Sequence, residues 1–192
     1  MIRGNIQMIA YYLSAAFLIC VFCIFGRYVV LRLIFAVKLR TLCRSQGAKL
    51  RSTSLFFWLK SINSKNCDFY IETEKSVFSV KLIGFISKKN MICFIDEKHY
   101  SRKNMSFQFH GSAFQIEYKT HEMPAHNFRY KYTADHTLNW APCYVICPKI
   151  LKISKADGNS MIELCSGDKI GHTAVYEAAG FLSMIGSLGS KR

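Results

Sequence analysis

No aspartate or glutamate occurs before Asp68, although residues 1–67 hold ten of the 26 Lys and Arg residues. That absence excludes an even, mixed-charge surface for the first third of the chain. It also assigns most of the formal net charge of +14 to that third, because residues 68–192 balance sixteen basic against twelve acidic residues. A basic total of this size invites a nucleic-acid partner. Its position favours anionic lipid headgroups, with nucleic acid as a secondary candidate.

The generic catalytic signatures are also missing. There is no Walker phosphate loop, no G-x-G-x-x-G, no G-x-S-x-G elbow and no H-E-x-x-H, which removes those families and only those. Internal repeats and low-complexity tracts are absent. The eight cysteines, at 20, 23, 43, 67, 93, 143, 147 and 165, do not form the two close-spaced pairs on turns that a structural zinc site uses. No metal ligand set is therefore expected. The six histidines at 99, 110, 121, 126, 136 and 172 are dispersed and read as solvated or core-edge residues.

What is present begins with an apolar rod. Met8 to Phe25 is eighteen residues without a charge, and Ile6 to Phe25 is twenty with a single Gln. Twenty helical residues rise roughly 30 Å, the thickness of a bilayer's hydrocarbon core. A cleaved signal peptide is the rival reading. The apolar core is too long for one, and "FGRYVV" offers no small-x-small cleavage site.

Cations resist translocation, so the flanks set the orientation. Arg3 alone precedes the rod, whereas Arg27, Arg32, Lys38, Arg40, Arg44, Lys49 and Arg51 lie after it. The expected arrangement is a single-pass membrane protein, amino terminus outside and domain in the cytoplasm. Residues 1–40 would form the transmembrane anchor and basic stalk, and residues 41–192 the cytoplasmic domain. The helix is expected to continue through Tyr28–Leu39 at the interface, with Arg27, Arg32, Lys38, Arg40 and Arg44 meeting lipid headgroups. In the reducing cytoplasm the cysteines of the domain would be free, mostly buried thiols.

The domain reads as α/β (α+β), with flanking helices on a mixed sheet. Residues 41–62, "TLCRSQGAKLRSTSLFFWLKSI", carry a helical apolar side with Gly47 as a weak point. "DFYIETE" (68–74), "SVFSVKLIGFI" (76–86) and "MICFI" (91–95) predict a three-strand antiparallel meander with polar connections. Residues 97–140 show no clean period, although "SFQFH" and "FQIEY" alternate. Asn104-Met105-Ser106 is a glycosylation sequon that a cytoplasmic domain leaves unused, and Asp96-Glu97 reads as a charged turn. "CYVIC" (143–147) suits a strand covered on both faces. "KILKIS" and "MIEL" predict a hairpin about Asp157-Gly158-Asn159, and Thr173 is a candidate cap for a last helix, "AVYEAAGFLSMI".

An aspartate opening a strand, then a hairpin, then "SVK" (79–81) on the next strand resembles the core of the PD-(D/E)XK nuclease-like superfamily, in particular its nuclease-related and Mrr-like branches. "CYVICPKI" and, after it, "GDKIGHTAVYEAAGFLSMI" are similar to the strand-turn-helix ending of membrane-anchored bacterial proteins of that shape. The element order spans roughly 41–185, and the motif itself about fourteen residues. The resemblance implies a restriction-endonuclease-like fold with Asp68 as first metal-binding acid and Lys81 as the lysine that positions water or stabilises charge. The second acid falls on Ser79, a hydroxyl where a carboxylate belongs, and Glu72 and Glu74 are the nearest carboxylates in sequence. The expected function is accordingly a non-catalytic binding or scaffolding module without a cofactor. The alternatives are a membrane-tethered nuclease using magnesium, and an anionic-lipid or polyanion-binding module.

Overall fold

The structure, a computed structural model, describes residues 2–52, 67–84, 90–96, 99–104, 119–122, 139–158 and 160–188. It begins with a helix, α1, running without a break over Ile2–Ser45. Its 44 residues correspond to roughly 66 Å of helix. Among the described residues no helix is long and apolar enough to cross a membrane. Of the expected span, the side chains of residues 6, 7, 9, 10, 18 and 20–25 lie outside the described set.

Gly47 ends α1 rather than weakening it. With φ of +68° it takes the left-handed conformation that a side chain resists. Its N–H donates to the Arg44 carbonyl at 3.3 Å and the Ala48 N–H to the Cys43 carbonyl at 2.8 Å, which satisfies two of the carbonyls left over at a helix end. Of the helix expected over 41–62, residues 41–45 are the end of α1, and residues 49–52 form instead a strand, β1 (Lys49–Ser52). Residues 53–66 lie outside the described residues.

Eleven described strands form two sheets. After β1 come β2 (Phe69–Glu72), β3 (Ser76–Ile83), β4 (Asn90–Phe94), β5 (His99–Asn104) and β6 (Lys119–Glu122). Then come β7 (Asn139–Ile146), β8 (Lys152–Asp157), β9 (Ser160–Glu163), β10 (Lys169–Ile170), β11 (Thr173–Glu177) and a second helix, α2 (Ala178–Ser187). The first sheet has the order β1-β2-β3-β7-β11-β10, with β3, β7 and β11 mutually parallel. The second has the order β6-β5-β4-β8-β9, with β4 and β8 parallel. The mixed α+β class expected from the sequence is what is found.

The meander is correct for two of its strands and wrong for the third. β2 and β3 pair antiparallel around a turn in which Thr73 holds Ser76 by backbone and side chain. β4 instead crosses to the second sheet, and β1 completes the antiparallel trio. The physical reason lies at Gly84, where the chain leaves β3. A Cβ there would run into the carbonyl oxygen of Cys147, where the neighbouring strand β7 also leaves the sheet. Two parallel neighbours, β3 and β7, exit together and continue as parallel β4 and β8 in the layer beneath. Only a glycine permits so close an approach of backbones.

Three layers result. α1 and α2 cover one face of the first sheet through Phe35, Leu39, Cys43, Phe181 and Ile185, packed on Phe69, Ile71, Val80, Leu82, Cys143 and Val145. The other face packs on the second sheet through Ile83, Tyr144, Ile146 and Val175 against Ile92, Phe94, Tyr100 and Ile153. β7 lies between them and is buried on both sides over Cys143–Ile146, as its unbroken apolar run predicts. The β8–β9 hairpin also agrees with expectation, with Asp157 opposite Ser160 and Gly158 at φ of +58°. Thr173 does not cap the last helix. It opens β11, because Ala174 and Tyr176 face the helices while Val175 faces the second sheet, a period of two. α2 starts only at Ala178, behind Glu177.

Gly84→Ala is expected to destabilise by about 2 kcal/mol or more, since backbone rather than a flexible side chain must yield. That corresponds to a melting temperature lower by roughly 4–8 °C for a chain of this size. Thermal unfolding of the two proteins monitored by circular dichroism checks it.

Candidate functional site

Asp68, Ser79 and Lys81 come together. The Asp68 N–H donates to the Val80 carbonyl at 2.7 Å, which continues the β2–β3 ladder one residue past the Phe69–Val80 pair. Its carboxylate accepts the Leu82 N–H at 2.8 Å and lies 3.9 Å from the Lys81 Nζ. Ser79 precedes Lys81 by two residues and so shares its side of β3. Asp68 and Lys81 are therefore neighbours in space, and Ser79 lies opposite Tyr70 on the same strand pair.

It is also sealed. The side chains of Lys81 and Asp68 are 3% and 1% exposed, and Ser79 is wholly buried with a hydroxyl that has no hydrogen-bond partner. Glu72 does not supply the missing carboxylate. It shares the Asp68 face of β2 but sits four residues along, roughly 13 Å away, and pairs with Lys49 at 3.7 Å. Among the described residues no group of three His, Cys, Asp or Glu could hold a metal ion. The arrangement that remains is an internal ion pair bound to backbone.

A residue assigned from sequence to the lipid interface joins this cluster instead. Arg32 is 1% exposed. Its Nε donates to the Cys147 carbonyl at 3.2 Å and an Nη to the Leu82 carbonyl at 3.0 Å, and its guanidinium lies 4.7 Å from the Tyr28 ring centroid. Leu82 thus gives its N–H to Asp68 and its carbonyl to Arg32. Arg32 is accordingly no headgroup ligand, because the helix face that carries it is the one packed on the sheet. The other four cations of that set, Arg27, Lys38, Arg40 and Arg44, are exposed. Phe35 and Leu39, also within residues 1–40, are buried against the first sheet.

Tyr28 was not singled out by any motif, and only its spacing of four from Arg32 hints at the contact. Burial raises the pKa of its phenol, opposed by Arg32 and assisted by Asp68 and Cys147. Burial likewise pushes the thiols of Cys43 and Cys147 up to about 11 and that of Cys143 to about 12, with Arg32 partly offsetting the shift at Cys147. Such thiols are neutral at physiological pH, which removes them as nucleophiles. They are free, and Cys165 is the exposed member among the described cysteines. His99 closes the β4–β5 turn locally, its Nδ1 2.8 Å from Asp96.

Comparison with family models, with curated proteins and with solved structures finds no match to this chain.

The cluster yields two expected outcomes. Arg32→Ala leaves two buried carbonyls unsatisfied and is expected to cost about 3 kcal/mol, and Arg32→Lys restores little of it, because a point charge cannot serve two acceptors as the planar fork does. Urea unfolding of the two variants measures both. The thiols hold their protons more tightly folded, near 11 to 12, than at the ordinary 9.0. The unfolded chain therefore ionises first, so their contribution is intact below pH about 9 and falls as pH rises through the folded values. A stability profile that stays flat from pH 9 to 11 would contradict this.

Proposed function

We propose that this chain is a membrane-tethered, non-catalytic binding module: a single-pass anchor with its amino terminus outside, carrying a cytoplasmic head built on a nuclease-like core whose acid–lysine pair has become internal. The observation that carries the reading is the sealed Asp68–Lys81 pair with Ser79 in the second acid's place. A two-acid magnesium site needs oxygen ligands open to water and substrate. Here the lysine contacts a carboxylate that is shielded from both.

Support for the anchor comes from the first half of α1. Tyr11, Tyr12, Leu13, Phe17 and Ile19 are 63–73% exposed and point to all sides of the helix. An apolar surface all round a helix calls for an apolar solvent. The one-sided cations after residue 25 favour the stated orientation.

The meeting of Asp68 with Lys81 favours a second reading, a metal-dependent nuclease that opens on substrate binding. The full-length protein in lipid nanodiscs separates the two. Incubated with DNA and RNA in magnesium or manganese, it is expected to cleave neither, and Asp68→Asn/Lys81→Met, which removes both charges but keeps an oxygen to accept the Leu82 N–H, is expected to remain folded. Metal-dependent cleavage that this double variant abolishes while still folded would replace the proposal by the nuclease reading. For topology, Cys165 is a natural probe: an impermeant maleimide should leave it unlabelled on intact cells and label it after permeabilisation.

A further inference from the structure

Beyond residue 28, α1 is apolar on two opposite faces, and the fold uses only one of them. Arg32, Phe35, Leu39 and Cys43 turn inward and are 0–3% exposed. Val30, Leu33, Ile34 and Val37 turn outward and are 48%, 39%, 45% and 65% exposed. The spacing i, i+3, i+4, i+7 places these four in one stripe, centred about half a turn from the buried one. At about 100° per residue, Arg27 and Lys38 border the stripe on one side and Arg40 on the other, and Arg44 lies in line with it two turns past Val37. All four are exposed.

We infer that this outward face, from Val30 between its two cationic borders, is a second membrane contact that enters the headgroup layer of an anionic bilayer just beyond the span. The inference rests on the anchor reading and deepens it. Charge decides the occupant. A second copy packed in parallel would set Lys38 against its Arg40, only two residues apart along the axis, like charges with no acid on α1 to relieve them. An anionic leaflet offers an apolar layer and negative charge in the order the face presents its own. Geometry permits it. Val30 lies five residues beyond Phe25, roughly 8 Å along the axis and at headgroup depth, and a modest lean brings Leu33 and Ile34, roughly 12–14 Å along, toward the same layer. The head packs on the opposite face and does not obstruct the lean.

The expected consequence is a head whose tilt depends on lipid charge. The test uses the full-length protein with Cys165→Ser and an environment-sensitive dye attached through Ile34→Cys, in nanodiscs of phosphatidylcholine alone or with roughly one third phosphatidylglycerol. Anionic lipid should shift the emission to the blue and raise quenching by brominated lipid about twofold. Both effects should vanish in about 0.5 M salt, where screening falls to a few ångströms, and in Arg27→Gln/Lys38→Gln/Arg40→Gln/Arg44→Gln.

An emission at Ile34→Cys that matches that of a dye at Lys169→Cys on the head in every lipid mixture would overturn the inference. So would a disulfide formed between two copies through Ile34→Cys, which would assign the face to a second chain. Failure of the anchor itself reads differently: the protein would not stay with the nanodisc at all.

Discussion

A guanidinium with nowhere to go but inward organises this molecule. Arg32 stands on the helix face that also carries Phe35, Leu39 and Cys43, so packing that face on the sheet buries a permanent charge. Burial of that kind is tolerated only with polar partners in place. The partners are the carbonyls of Leu82 and Cys147, at the ends of the parallel strands β3 and β7, where both strands leave the first sheet. Because both carbonyls must be reached by one rigid fork, the rotation and the axial position of α1 on the sheet are fixed together. The Gly84 approach to the Cys147 carbonyl depends on the same corner being closed.

This constraint links the interior to the outward face. Once Arg32 is pinned, Val30, Leu33, Ile34 and Val37 have no choice but to face away from the head. It also bears on the Asp68–Lys81 pair, which shares Leu82 with Arg32. A carboxylate that accepts a strand N–H and neighbours a lysine within a shielded pocket is held by its surroundings in one geometry. Catalytic carboxylates need instead to exchange water and metal ligands. The same three residue types at the same spacing can therefore serve either role, and solvent access decides which.

Much of this was legible in the residues, element by element. The uncharged run before Phe25 announced a long helix, and period-two alternation around Thr73–Ser76 announced the β2–β3 hairpin. The continuous run Cys143–Cys147 announced a strand covered on both sides. The features that escaped depended on contacts distant in sequence. Arg32 comes after an apolar rod just as Arg27 does, and one-dimensional context assigns both to headgroups. Only the 115-residue separation between Arg32 and Cys147, closed by the fold, distinguishes them. Gly47 was visible as an irregularity, but whether a glycine weakens a helix or caps it depends on the element the chain enters next, and β1 needed β2 to exist. β4 reads as a third meander strand until Gly84 meets β7.

The two apolar faces of α1 show how one segment can answer to two environments. An isolated interfacial helix presents apolar residues to lipid and polar ones to water. Residues 28–43 cannot obey that pattern, since the water-facing side has been taken over by the sheet. The polar residues are displaced to the two borders between the faces, where Arg27, Lys38 and Arg40 stand exposed, and to the end of the outward face, where Arg44 does. Cations placed there are compatible with both neighbours: their stems cover the edge of the head and their charges reach outward. Under the proposed membrane contact, the absence of acid throughout the first 67 residues acquires a structural meaning, because a carboxylate on either border would pair with these cations and neutralise the charge that the proposal turns toward the bilayer.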